Sequence, residues 1–81
     1  MMRVFIEMYF DEDVSHIEVE GIGIDFDSDH FVRVVFAGGP GDKAGLHRGD
    51  KVLRADGKDF DPIASFIGKT NQRVVLAIQR R

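Results

Sequence analysis

The sequence predicts a small β-rich α+β domain of about six strands and two short helices. Three observations predict it. The 81 residues allow one domain with one core, since 43% of them are apolar. Segments rich in β-branched and aromatic residues recur along the chain. Glycine-bearing turn clusters divide them, and only two short stretches carry helix punctuation.

Arg3–Phe10 is rich in aromatic and β-branched residues and reads as the first strand. The acidic run Asp11-Glu12-Asp13-Val14-Ser15 suits a turn. His16–Glu20 alternates polar with apolar residues and reads as a second strand. Gly21-Ile22-Gly23-Ile24 leads into a strand through Asp27, and Phe31–Phe36 reads as the next. Ala37–Gly41 is a turn cluster. Asp42–Leu46 has room for one helical turn, which Gly45 stops. Lys51–Ala55 reads as a short strand ending at Asp56-Gly57, a tight-turn pair. Asp61 and Pro62 fit the N-cap and first position of a helix running to Ile67 and stopping near Gly68. Arg73–Gln79 reads as the last strand.

Net charge is −3, which argues against nucleic-acid binding. Its distribution is uneven. Residues 1–30 carry nine acids against one arginine, and residues 31–81 carry ten bases against five acids. The absence of cysteine excludes disulfides, a thiolate nucleophile and thiolate zinc sites. No apolar run reaches the ~18 residues of a membrane-spanning helix, and Met1–Glu7 lacks the apolar core of a signal peptide.

Two glycines around an apolar residue, as in Gly21-Ile22-Gly23-Ile24, let successive N–H groups converge on an anion. Further on stand Gly39-Pro40-Gly41-Asp42-Lys43-Ala44-Gly45-Leu46, then Gly49-Asp50-Lys51-Val52-Leu53, then Asp56-Gly57. Together these blocks resemble the PDZ family in order and spacing, with Gly41 where that family usually has alanine. The likeness runs from Gly21 to about Gln79 and is nearest to the PDZ domains of bacterial carboxyl-terminal processing proteases and related envelope proteases. It implies a PDZ-like partly open barrel of five to six strands with two short helices. Residues 21–81 would form this domain. Residues 1–20 would be an N-terminal strand or hairpin extension packed on it.

The resemblance also implies a function. A C-terminal or extended apolar peptide would add as a strand beside Ile24–Asp27, in the groove facing the Pro62–Ile67 helix. Its carboxylate would rest on the N–H groups of Ile22, Gly23 and Ile24, each such bond contributing about 1.5–3 kcal/mol. Asp25 and Phe26 would continue the groove strand, with Ile22, Ile24 and Phe26 lining the terminal pocket. Ile63, Phe66 and Ile67 share one helix stripe. Part of that stripe must be core. Affinity would be micromolar, about −8 kcal/mol. The implied partners are peptide segments of other proteins and an adjoining protease domain, in the periplasm or cell envelope of a bacterium. No cofactor and no metal are expected. In the other reading the module is structural, its groove filled by its own Arg3–Phe10 strand or by a neighbouring domain.

Other motifs fall short. Asp25-Phe26-Asp27-Ser28-Asp29-His30 begins like a calcium loop but has histidine where glycine is required and Phe36 where glutamate closes the loop. Gly68-Lys69-Thr70 lacks the earlier glycine of a phosphate loop, since Ile63 stands there. Arg48-Gly49-Asp50 reads as the turn before a strand. Ser15, Ser28 and Ser65 sit in no nucleophile motif, so the chain is not expected to be an enzyme.

Overall fold

A computed structural model describes residues 1–9, 23–62, 64–66 and 72–81. The expected strand His16–Glu20, the first half of the glycine loop (Gly21 and Ile22), and Ile63 and Ile67 lie outside the described residues.

The described chain runs β1 (Met2–Tyr9), β2 (Ile24–Phe26), β3 (Val32–Val35), α1 (Pro40–Ala44), β4 (Lys51–Ala55), β5 (Lys58–Asp59) and β6 (Arg73–Arg80). β1, β6, β4 and β5 form one antiparallel sheet in that order. β2 and β3 form a two-stranded antiparallel ribbon. The two are joined at one corner. There Val32 N–H donates to Asp50 O at 2.8 Å, Val52 N–H donates to His30 O at 3.0 Å, and Phe31 bridges to Lys51. The sheets do not close into the expected partial barrel, because this corner is their only strand-to-strand junction among the described residues.

Burial of one strand face organises the sheet. Along β6, Val74, Leu76 and Ile78 are fully buried. Opposite them Ile6 and Met8 of β1 enter the same core. β4 buries Val52 and Ala55, three residues apart, which a period of two cannot do. A register shift between Val52 and Arg54 inserts the extra residue and turns Ala55 inward. Asp56 and Gly57 both have positive φ, 50° and 78°, as a two-residue hairpin turn requires. The short β5 beyond this turn was not anticipated as a strand. Asp56 also extends the β4–β6 ladder: its N–H donates to Val75 O, and its Oδ1 accepts from Val75 N–H at 2.9 Å.

β1 departs from one expectation. As a segment able to fill the groove it would pair with β2, yet all eight of its residues pair with β6. The reason is burial: that register puts Ile6 and Met8 into the core. Where the second helix is expected, the described residues Asp61, Pro62 and Ala64–Phe66 form a hydrogen-bonded turn. Ala64 N–H donates to Asp61 Oδ1 at 2.7 Å, Ser65 N–H donates to Asp61 O at 3.1 Å, and Asp61 N–H donates back to Ser65 Oγ at 2.9 Å. This is a reciprocal N-cap.

One buried charge fastens the fold. Asp50 is 2% exposed, and Arg80 grips it with Nε at 2.9 Å and Nη2 at 2.8 Å. Arg80 Nη2 also donates to Gly45 O, and His47 N–H donates to Asp50 Oδ2. The end of β6 is thereby tied to the loop between α1 and β4. Burial alone would raise the Asp50 carboxyl. The hydrogen bonds from Arg80 and His47 outweigh it and hold the group below its ordinary value.

Candidate functional site

The site is the outer edge of the β2–β3 ribbon and the loop that enters it. Gly23 has φ +75° and stands back to back with Gly39, where a Cβ on Gly23 would come within 3.3 Å of Gly39 Cα. Two glycines are needed for that approach. Phe36 N–H donates to Gly23 O at 2.8 Å, and Asp27 N–H donates to Phe31 O at 2.9 Å. Residues 23 and 27 therefore turn their polar backbone groups toward β3. Ladder alternation turns those of Ile24 and Phe26 to the other side. No strand occupies that side among the described residues. An open strand edge beginning at a left-handed glycine can accept another extended chain.

The expected site residues separate. Ile24 supplies backbone to the open edge, while its side chain is fully buried against α1. Gly41 makes room for it: a Cβ there would lie 2.6 Å from Ile24 Cγ1. This explains glycine where the resembled family has alanine. Phe26 is half-buried, and its ring centroid lies 5.1 Å from that of Phe60. Asp25 points to the ribbon's other face and binds Arg33 through Nη2. That bond and the Asp25 charge raise the Arg33 pKa. Phe66 corrects the expectation of a groove-facing side chain. It is fully buried and edge-on to Phe60 at 5.8 Å, so it belongs to the core. Ile22, Ile63 and Ile67 lie outside the described residues.

Sequence reasoning missed Phe60. It links Phe26, His30 (5.3 Å, edge-on) and Phe66 into one aromatic cluster that carries β2 over to the Asp61–Phe66 turn. The available signal was an aromatic residue directly before the N-cap, where an apolar side chain folds back on its helix. A cavity of about 360 Å³ lies beside this turn, lined by Ala55, Asp56, Lys58, Asp59, Asp61, Ala64 and Ser65. None of these residues is on β2, so this is not the strand-edge site. No cluster of three or more metal-ligating side chains occurs among the described residues. No helix among them is long and apolar enough to cross a membrane.

A short helix between β3 and β4, a tight β4–β5 hairpin, a capped turn before β6 and an open β2 edge together are the PDZ fold. Two solved structures carry the comparison. The crystal structure of wild-type TIP-1 superposes with a TM-score of 0.67 at 21% identity, covering 98% of this chain and 87% of that one. The PDZ domain of choanoflagellate SHANK1 bound to a GIRK3 peptide superposes with a TM-score of 0.66 at 23% identity, covering 99% and 93%. No family model matches the chain, and no curated protein matches it. These likenesses do not support the bacterial protease-associated type that the sequence suggested.

Proposed function

We propose that the chain is a peptide-binding interaction domain that captures a C-terminal or extended apolar peptide by adding it as a strand to β2. The observation that carries this reading is the open β2 edge, entered through the left-handed Gly23, with the backbone of Ile24 and Phe26 turned outward. The peptide held by the SHANK1 domain of the same fold supports it. The peptide carboxylate would rest on the N–H groups of Ile22, Gly23 and Ile24. Phe26 would meet an apolar side chain beside the Phe60 ring. The mode of capture is main-chain hydrogen bonding, so the chain's own chemistry is recognition and not catalysis. A place beside a protease domain in a bacterial envelope rests only on the sequence resemblance and belongs to this proposal as its context.

The test is an NMR titration with peptides ending in an apolar residue, each paired with its C-terminal amide. Free-acid peptides should shift the amide resonances of residues 22–27, and the amides should bind far more weakly. If neither form moves those resonances, the proposal fails.

A further inference from the structure

Among the described residues a second strand edge is open, on β1. β1 is outermost in the four-stranded sheet. One side is bonded to β6 over its whole length, and the other has no strand partner among the described residues. Natural edges are blunted by proline, charged side chains such as lysine, bulges, brevity or a covering helix. β1 has eight residues, neither proline nor lysine, and an unbroken register against β6. α1 approaches this edge but leaves a notch of about 170 Å³ lined by Glu7, Tyr9, Pro40, Lys43 and Ala44. The side chains that β1 turns outward alternate charged with aromatic, Arg3, Phe5, Glu7 and Tyr9, with Phe5 67% and Tyr9 51% exposed.

The two charges on β1 say what fits there. Arg3 and Glu7 are opposite in sign, equidistant from Phe5 and on the same outward face. Glu7 also reaches Arg73 at 3.6 Å, a loose pair between well-exposed side chains that leaves the carboxylate accessible. We propose that β1 is a homotypic docking edge, where two copies of this chain pair their β1 strands antiparallel about a two-fold axis at Phe5. Arg3 then faces Glu7 of the partner subunit, twice by symmetry. Val4 faces Ile6 of the partner subunit, and the two Phe5 rings meet on the axis. Cross-strand pairs of both kinds stabilise a sheet. The register is selective. A slip of one residue sets outward side chains against inward ones. A slip of two sets Arg3 against Phe5 or Tyr9 and loses both ion pairs. An unrelated strand would need the same charge spacing, which a second copy has by construction. The β2 edge belongs to the other sheet, so the pair would carry two open ribbon edges, and this inference stands apart from the peptide-binding proposal.

The experiment is sedimentation velocity over a concentration series of the intact chain, with Arg3→Glu, Glu7→Arg and the double swap. The unmodified chain should self-associate. Each single swap sets like charges opposite each other twice and should weaken association about tenfold or more. The double swap should restore it. Mixing the two single variants should give a heterodimer, because opposite charges meet again at both positions, and this restoration shows that both variants are folded. A chain monomeric at millimolar concentration overturns the proposal. So does a dimer indifferent to the single swaps, or a double swap that recovers nothing. If the outward β1 amides resist hydrogen exchange in a monomer, another segment of the same chain covers the edge and the proposal is likewise overturned.

Discussion

The four-stranded sheet and the β2–β3 ribbon use the same backbone chemistry to opposite ends. The sheet rests on two eight-residue strands in continuous register, a core of fully buried Val74, Leu76 and Ile78, and the buried Asp50–Arg80 clasp. The ribbon has a three-residue strand with a register shift, its cross-strand ion pair is exposed, and one of its edges has no strand partner among the described residues. Backbone groups satisfied internally stabilise the fold. Those left open are what a ligand can use. Stability should therefore be concentrated in the sheet, and peptide recognition in the ribbon.

The largest expected effect lies on the sheet side. Arg80→Ala leaves the Asp50 carboxylate buried without its partner, which costs about 3–5 kcal/mol in a chemical denaturation series. The pH dependence identifies the cause. The folded carboxyl lies below its ordinary value of 3.8, so its stabilisation is fully present above that value and fades as pH falls through the lower folded one. In the variant, burial acts with less opposition and raises the group. The gap between the two proteins should therefore narrow in acid. A gap that stays constant down to low pH would assign the loss to packing of the Arg80 stem and remove the clasp from the comparison.

Most of the sheet was legible in the sequence, and the reason is composition and turn chemistry. Lys51–Ala55 and the Asp56-Gly57 turn were readable because a tight hairpin admits few residue types, and Arg73–Gln79 because it holds an unbroken run of β-branched and aliphatic residues. The Asp50–Arg80 clasp was not readable, since its partners are 30 positions apart and nothing local marks Asp50 as buried. The site was legible only in its backbone. Gly23 declared a left-handed turn, and Ile24 to Phe26 a strand. Which side chains meet a ligand depends on how the Asp61–Phe66 turn rotates about its own axis. A stripe of Ile63, Phe66 and Ile67 cannot reveal that, and Phe66 is in fact core. Gly41 was legible only as a departure from the resembled family's alanine; its cause lies in the volume of Ile24.

The middle effect tests the junction of the two regions. Gly23→Ala places a side chain at φ +75° and brings its Cβ within 3.3 Å of the Gly39 backbone. The left-handed conformation alone costs about 1–2 kcal/mol. The contact is with backbone at the start of α1, which cannot swing aside as a flexible side chain would. The expected outcome is a modest loss of stability with a disproportionate loss of peptide binding, read by denaturation and titration of the same variant. Equal losses in both would mean that the loop is as much a part of the fold as β6, and the division between sheet and ribbon would fail.

The smallest effect is expected where the ribbon faces solvent. The Arg33–Asp25 pair is short, but the Arg33 side chain is 60% exposed and that of Asp25 31%. Exposed pairs gain little, because water and salt screen the attraction and two long side chains must be held still. Arg33→Ala should leave the denaturation midpoint essentially unchanged. It should, however, free the Asp25 carboxylate at the centre of β2, next to the backbone that would receive a peptide. Peptides with a basic residue near that position should then bind more tightly than to the parent chain, and the gain should shrink as salt is added. A variant that changes stability but not this charge preference would place the pair among the supports of the fold, and the ribbon would then differ from the sheet in size alone.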